Sequence, residues 1–514
     1  MKKLLLASAI FLSFNLCAED AKLLIGAEQK NHAEKQYKEY FTDMNEILAT
    51  VENKSAIEAA FFSLKNYQAE EQKAQGTGEF HLKLQPSDKV NVNLQDIVLE
   101  FADDIDYGDE LAKDGKIAII KSKLLLKPEI TYKKADKNSQ DLVKLLVAGI
   151  NDFLENNVQN QWTIFADNSI EKTLKIDEIE KNLKGDNALK IGGIDAKFKF
   201  NGVKNALFPF NLEYKSGEII FLPKNPEYKF ILSAIDVKAQ RNEHGAFSAK
   251  VLPFKLEASS PRIKLVLNVG EVTENSKFDG YDKETASYLG KRSIEVKDFK
   301  LNRSDWRKTI ALHSFQLISE KNKTDDFLNI RQVYKLSPKS NLLKDFLGID
   351  KVEINNLEAE ALAQGLTQDL LQIFEDVKNN KAASDTALFE EIIKSFGKSN
   401  GKLEIKTDIQ TDKGKFILKA NLSVKKDAKI FSEKERTVLA SKKAEEVLAV
   451  LSDKFEFSAD VKIAKTLLEA LNLEEKLQAQ DKEFIVEKDG NYEFKVVLDG
   501  QLKINGKELL NKKK

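Results

Sequence analysis

The stretch Ala196-Lys-Phe-Lys-Phe200 alternates apolar residues with lysine at every step. A period of two places the apolar side chains on one face of a β-strand and the charged side chains on the other. The same alternation recurs in residues 80–84, 294–301 and 403–409, where lysine and glutamate occupy most outward positions. These stretches predict half-buried antiparallel strands, whose apolar faces need cover from helices, another sheet or a ligand.

Helices are predicted where apolar residues recur at steps of three and four. The clearest is residues 141–158, and a longer amphipathic pattern covers residues 21–64 with a break near Asn53. Further helices are predicted over residues 357–377, 386–396, 436–451 and 464–477. The predicted fold class is therefore α+β, with extended, mostly antiparallel, curved β-sheets that have one polar face and are covered by amphipathic helices.

Composition divides the chain into four predicted segments. Residues 68–78 are polar and are interpreted as a connector, with Gly76-Thr-Gly78 in a loop, and all eight prolines lie at or before Pro338. The predicted segments are a signal peptide (1–18), an N-terminal helical segment (19–75), a β-rich domain with an inserted helix at 141–158 (76–338) and a C-terminal α+β domain (339–514).

Four short stretches are apolar at consecutive positions: residues 117–120, 124–126, 219–222 and 265–267. Strands that are apolar on both faces are typically central or sandwiched in a sheet. A two-layer core explains this pattern, and the wall of an apolar groove explains it equally well. The groove interpretation selects Leu124, Leu126, Ile220 and Leu222 as wall residues.

The first residues carry an export signal. Met1-Lys2-Lys3 precedes an apolar run over residues 4–16 and the sequence Cys17-Ala18, which is the pattern of a secretory signal peptide, and the run is too short to span a bilayer. We expect cleavage after Ala18 and a periplasmic protein without a transmembrane span. The alternative is a lipid-anchored envelope protein acylated at Cys17.

Residue types that carry chemistry are scattered. The chain has 81 basic and 82 acidic residues, so its net charge of −1 creates no global field that would attract nucleic acid. The four histidines are far apart, and the motifs of nucleotide-binding, hydrolase and metal sites are absent. We therefore expect no catalytic residues, no metal and no cofactor. An enzyme site assembled from distant carboxylates is the remaining alternative.

One modification signal stands out. Glu320-Lys-Asn322-Lys-Thr324 is an N-x-T acceptor with an acidic residue two positions before the asparagine. It lies between two predicted strands, where a hairpin tip would expose it. The hypothesis is N-glycosylation at Asn322.

The end of the chain resembles a known family. The strand Phe455-Glu-Phe-Ser-Ala-Asp-Val461, a helix within 467–477 and the ending Gly500-Gln-Leu-Lys-Ile-Asn-Gly506-Lys resemble the close of YdgA-like bacterial envelope proteins, catalogued as domain of unknown function 945. The resemblance covers residues 455–514, and the family's H-G-P-F tetrapeptide is absent. It implies an exported envelope protein without known catalysis and assigns no functional residues.

These observations together predict a non-enzymatic envelope protein that binds an apolar or amphiphilic component, with lipid or another envelope protein as partner. The alternative is a surface or periplasmic interaction protein, for instance an adhesin-like factor. Oligomeric state has no signal in the sequence.

Overall fold

A computed structural model describes residues 27–48, 57–84, 92–107, 111, 114–132, 137–183, 187–201, 208–223, 227–282, 287–306, 308–378, 385–441, 444–474, 484–499 and 501–508. The chain is 60% strand and 22% helix, its strands pair antiparallel, and its sheet is not closed. The prediction of mostly antiparallel β-structure is confirmed.

The α-helices among the described residues are α1 (Ala27–Leu48), α2 (Lys137–Asn157), α3 (Leu342–Leu347), α4 (Gln368–Lys378), α5 (Asp385–Ser399), α6 (Glu433–Ser441), α7 (Ala444–Lys454) and α8 (Lys465–Ala470). The strands up to Pro261 are β1 (Ile57–Ala69), β2 (Lys73–Leu84), β3 (Val92–Asp106), β4 (Lys116–Tyr132), β5 (Val158–Phe165), β6 (Ser169–Ile176), β7 (Ile179–Leu183), β8 (Asn187–Ile191), β9 (Ile194–Asn201), β10 (Phe210–Ser216), β11 (Ile219–Leu222), β12 (Lys229–Leu232), β13 (Ile235–Arg241), β14 (Ala246–Val251) and β15 (Phe254–Ser259). The later strands are β16 (Lys264–Val269), β17 (Glu271–Asp282), β18 (Ser287–Arg303), β19 (Lys308–Thr324), β20 (Phe327–Pro338), β21 (Ile354–Leu366), β22 (Lys402–Thr411), β23 (Gly414–Val424), β24 (Phe455–Ala464), β25 (Val486–Lys488), β26 (Asn491–Asp499), β27 (Gln501–Ile504) and β28 (Lys507–Glu508).

Backbone contacts divide the chain into two compact units. Unit 1 runs to Pro261 and includes Phe278–Ser287, and unit 2 comprises Arg262–Lys277 and the chain from Tyr288 onward. The four segments expected from composition use other boundaries and stay a prediction.

Unit 1 contains two antiparallel ladders. The first runs in the order β1-β2-β3-β4-β5-β6-β9-β10-β13-β14. The second runs in the order β7-β8-β11-β12-β15. The chain passes between the ladders at five two-residue breaks: residues 177–178, 192–193, 217–218, 233–234 and 252–253. One part of each long hairpin therefore belongs to the first ladder, and the other part belongs to the second.

Glycines occupy the tightest of these breaks. The amide of Gly192 donates to the carbonyl of Glu218 at 2.6 Å, and the amide of Gly217 donates to the carbonyl of Gly193 at 2.8 Å. A Cβ at Gly192 would lie 2.5 Å from the Cα of Gly217. The two backbones approach closer than any side chain allows, so both positions require glycine.

Helix α1 covers the apolar face of the first ladder. Its buried side chains Tyr37, Tyr40, Phe41 and Met44 join a core that includes Phe62, Phe80, Phe101, Trp162 and Phe198. The amphipathic pattern at the start of the chain is thus a core-docking helix, but the helix is shorter than predicted. Residues 57–64 belong to β1, because their side chains pack in this core as part of a strand paired with β2.

The prediction of a polar connector with a loop over residues 68–78 was also wrong. Gln68 and Ala69 end β1, and Gly76 and Gly78 lie within β2, paired with β1 and β3. A Cβ at Gly76 would overlap the Tyr37 hydroxyl, and one at Gly78 would overlap the Phe41 ring. These glycines make room for the aromatic side chains of α1 and do not mark a turn.

Unit 2 is built on a ladder in the order β18-β19-β20-β21-β22-β23-β24-β26. At one end, Leu328 and Leu366 of the sheet form a buried cluster with Leu370 of α4 and Ile393 and Phe396 of α5. At the other end, Val352, Ala464 and Leu467 of α8 form a smaller cluster. Helices therefore cover the two ends of one sheet face.

The helix predictions had mixed outcomes. Residues 141–158 and 386–396 match α2 and α5, and residues 436–451 form two helices, α6 and α7. The predicted helix over 357–377 was wrong in its first half, because residues 357–366 form β21 between two other strands and only α4 follows. The helix predicted over 464–477 is reduced in the described residues to α8.

We predict that Gly78→Ala destabilises unit 1 by about 1–3 kcal/mol, the usual cost of overpacking a filled core. The added methyl would force the Phe41 ring away from β2. The matched control is Gly280→Ala in β17, where a Cβ meets no atom within 4 Å. Urea unfolding should show a lower free energy of unfolding for the first variant alone, and equal values for both would contradict this account of helix docking.

Candidate functional site

One face of the unit 2 ladder is apolar over eight strands. Cross-strand pairing aligns three neighbouring rows of side chains, which we call the apolar band. The first row is Val296, Phe315, Leu336, Leu357, Ile409, Phe416, Ile463 and Tyr492. The second row is Ile294, Leu317, Tyr334, Ala359, Thr407, Leu418, Val461 and Phe494. The third row is apolar from β21 onward: Ala361, Ile405, Ala420, Ala459 and Val496.

The centre of the apolar band is not covered by the helices that the structure describes. The second and third rows contribute no member to either hydrophobic cluster of unit 2. Ile405 is 49% exposed and Tyr334 is 37% exposed, although both lie in the interior of the ladder. Eight strands at about 4.8 Å spacing give the band a length of roughly 34 Å. This length exceeds that of an extended acyl chain of ordinary phospholipids.

The opposite face of the same ladder is polar. One of its rows reads Glu295, Gln316, Lys335, Glu358, Asp408, Ile417, Lys462 and Glu493. Ion pairs cross this face, including Lys335 with Glu358 at 3.1 Å and Lys462 with Glu493 at 2.7 Å. An open groove of about 690 Å³ lies along it, with mixed charges in its lining. Because four carboxylates and three lysines line it, the groove has no strong preference for either sign of ligand charge.

The second ladder of unit 1 has an apolar face of its own. One row reads Ile179, Ile191, Ile219, Leu232 and Leu256, and the next reads Leu189, Phe221, Phe230 and Ala258. Side-chain exposure differs between the two rows. Ile179 and Leu256 of the first row are buried, whereas Phe221 and Phe230 of the second row are exposed. The apolar surface is therefore most exposed where β11 ends and β12 begins.

The four predicted groove residues lie on two strands with different partners. Leu124 of β4 belongs to the buried core of unit 1, and the backbone of Leu126 is held by the side-chain amide of Asn151 on α2. Ile220 and Leu222 lie on β11, on the face opposite to Ile219 and Phe221. The groove formed by these four residues stays a prediction. The wider apolar faces depend on cross-strand register, which single strands do not reveal.

A second candidate is a polar cluster buried beneath α1. The hydroxyl of Tyr37 donates to Oδ2 of Asp103 at 2.7 Å, and Nε1 of Trp162 donates to Oγ of Ser122 at 2.9 Å. Nζ of Lys172 donates to the hydroxyl of Tyr40 at 3.3 Å and lies over the rings of Tyr40, Trp162 and Phe101. Asp103 and Lys172 are both 3% exposed. The sequence offered no signal for this cluster, because its members come from α1 and four separate strands.

Burial dominates the electrostatics of the cluster. It raises the pKa of Asp103 to about 6, although hydrogen bonds from Ser122 and Tyr37 and the positive charge of Lys172 act in the opposite direction. It also lowers the pKa of Lys172 to about 8, with partial compensation from Asp103. The hydrogen bonds of Tyr37 to Asp103 and of Lys172 to Tyr40 connect α1 to β3 and β6.

The structure describes only some of the remaining predicted site residues. Cys17 and Ala18 lie outside the described residues. Asn322 is exposed in β19, close to the β19–β20 turn, and its Oδ1 accepts a hydrogen bond from Nδ2 of Asn329 at 3.0 Å. Among the described residues, no group of three or more histidine, cysteine or carboxylate side chains is placed to hold a metal ion.

The described helices include none with both the length and the apolar composition needed to cross a bilayer. No protein-family model, curated protein or solved structure matches this chain.

We predict that Asp103→Asn changes how stability depends on pH. The folded-state pKa of Asp103 lies above its unfolded value of 3.8, so its contribution to stability is present below about pH 4 and is lost as pH rises through about 6. One pKa unit corresponds to about 1.4 kcal/mol, so wild type should lose roughly 3 kcal/mol relative to Asp103→Asn over this interval. Urea unfolding of both proteins at pH 4, 5, 6 and 7 measures the difference. A difference that is independent of pH would show that Asp103 is not buried as described.

We also predict that Asn322 carries a glycan in the native host. Intact mass of the protein from that host should exceed the mass of the unmodified mature chain, and Asn322→Gln should remove the excess. Asn329→Gln is the control, because it retains the acceptor sequence while altering the side chain that hydrogen-bonds Asn322. A bare mass for the wild-type protein would exclude the modification.

Proposed function

We propose that this is an exported, non-enzymatic bacterial envelope protein that binds the acyl chains of an amphiphile on the apolar band. The observation that carries the proposal is the set of apolar rows across eight strands, exposed at their centre among the described residues. The export signal and the resemblance of residues 455–514 to YdgA-like envelope proteins support the compartment. We infer a periplasmic location, or lipid anchoring through Cys17.

The physical basis is the cost of leaving this surface in water. Burial of apolar surface contributes about 25 cal/mol per Å², and soluble proteins rarely expose contiguous apolar patches above a few hundred Å². The second row and the apolar part of the third row together span a few hundred Å² of sheet surface, with spacings of about 4.8 Å between strands and about 7 Å along them. Within these rows Tyr334, Ala361 and Ile405 are exposed, Ala459 is buried and the other side chains are half-buried. An acyl chain laid across the strands would cover Ile405, Tyr334 and Leu418 without requiring any hydrogen bond to the sheet.

The polar face supports the same arrangement. Its charged rows keep the other side of the ladder in water, so ligand and solvent meet opposite faces. The finer fold description follows from this: curved antiparallel sheets with one polar face, whose apolar face is covered in part by helices and in part by the ligand. A protein partner on the same apolar band is the alternative function, as an adhesin-like or periplasmic interaction factor.

We predict that Ile405→Gln weakens the binding of a pyrene-labelled fatty acid roughly fivefold, because about 1 kcal/mol of apolar contact is lost. The matched control is Lys406→Gln, which alters the adjacent exposed residue on the polar face. Fluorescence titration of the full chain measures both affinities. Ile405→Leu should bind as wild type does.

Equal weakening by Ile405→Gln and Lys406→Gln would contradict binding on the apolar band. Native mass spectrometry of protein purified without detergent from its own host provides the second test. Bound mass that dissociates as lipid supports the proposal, whereas a lipid-free protein that also fails to bind the probe favours the protein-interaction alternative.

A further inference from the structure

The β11–β12 hairpin exposes an unusual concentration of large apolar side chains. Phe221 is 38% exposed, Leu222 41%, Tyr228 47% and Phe230 36%. All four lie within the ten residues 221–230 and belong to unit 1. Phe221 and Leu222 end β11, Tyr228 directly precedes β12 and Phe230 lies at its start, at the far end of these strands from the breaks at residues 217–218 and 233–234.

The exposed side chains occupy both faces of the hairpin. Phe221 is the direct cross-strand partner of Phe230, so their rings share one face. Leu222 follows Phe221 in the same strand and projects from the other face, where Ala188 of β8 is its partner. A docked protein surface or an acyl chain covers one face of a sheet. Lipid that surrounds the end of the hairpin would cover both faces.

Residue types at this end match the interfacial region of a bilayer. Tyrosine, here Tyr228, is enriched at that depth because it combines an apolar ring with a hydroxyl that remains hydrated, and phenylalanine and leucine are typical of the apolar face of interfacial segments. Lys229, between Tyr228 and Phe230, is held by Glu257 of β15 at 3.3 Å, so its charge is already compensated. Lys190 of β8 is likewise paired with Glu178 at 2.8 Å. Apolar contact is therefore the force that the described residues of this end supply.

We propose that the end of the β11–β12 hairpin is a membrane-docking surface, which inserts Phe221, Leu222, Tyr228 and Phe230 into the interfacial region of a phospholipid bilayer. This surface belongs to unit 1 and is independent of the apolar band in unit 2. Docking at a membrane brings the protein to the source of amphiphiles, so the inference goes beyond ligand binding and names the surface that the protein works against.

The test is flotation of the full chain with vesicles of pure phosphatidylcholine. Wild type should float with the vesicles, and high salt should leave the floated fraction unchanged, since ion pairs do not carry the contact. The double variant Phe221→Ser/Leu222→Ser should reduce vesicle affinity about tenfold or more, as expected for the loss of two inserted side chains. Leu347→Ser is the matched control, because Leu347 is 68% exposed and lies at the end of α3 in unit 2.

A second measurement keeps the proposal falsifiable if the double variant does not fold. Tryptophan emission of Phe221→Trp should shift to shorter wavelength when phosphatidylcholine vesicles are added, and that of Leu347→Trp should not. Wild type that remains unbound, a double variant that floats as wild type does, or a Phe221→Trp emission unchanged by vesicles would each overturn the proposal. A double variant that loses vesicle binding but still binds the fatty acid would support this inference without bearing on the proposed function.

Discussion

The separation of apolar and charged residues onto opposite sheet faces is the constraint on which this molecule depends. In β21 and β22, for instance, Glu358, Glu360, Glu404 and Lys406 alternate with apolar residues, so a shift of register by one residue would move these charges to the apolar face. Each ladder must therefore place one face in water and find cover for the other. The two units cover their apolar faces in different ways.

Unit 1 docks α1 on the core of its first ladder, and α2 packs against β4 of the same ladder. Tyr37 and Tyr40 of α1 reach the polar residues Asp103 and Lys172 within an otherwise apolar core. Apolar packing alone tolerates sliding of a helix along a sheet, whereas a buried carboxylate that accepts a hydrogen bond from one tyrosine does not. Unit 2 covers both ends of its sheet face with helices and leaves the middle rows to half-buried side chains.

The strands with alternating apolar and charged residues were the predictable part of this fold. The wrong predictions of individual elements have specific causes. Residues 357–366 contain Leu, Glu and Ala, which favour helices, but their alternation of apolar and acidic residues fits a strand between β20 and β22, and tertiary packing outweighs intrinsic propensity. Gly76 and Gly78 suggested a loop because nothing in the sequence shows the rings of Tyr37 and Phe41 above them. The candidate sites were less predictable still. The apolar band and the Asp103 cluster exist only through pairing between distant strands, and a one-dimensional pattern contains no information on that pairing.

The contacts of α1 also have a kinetic consequence. Its Tyr40 hydroxyl meets a lysine 132 residues further along the chain, and its Tyr37 hydroxyl meets a carboxylate 66 residues away. Contacts of such long sequence separation form slowly, because the loop between them must close first. The docking surface for α1 does not exist until β3 to β6 have paired. We therefore expect α1, the first helix of the described residues, to be among the last parts of unit 1 to reach its final place, with its aromatic face exposed to other chains during that interval.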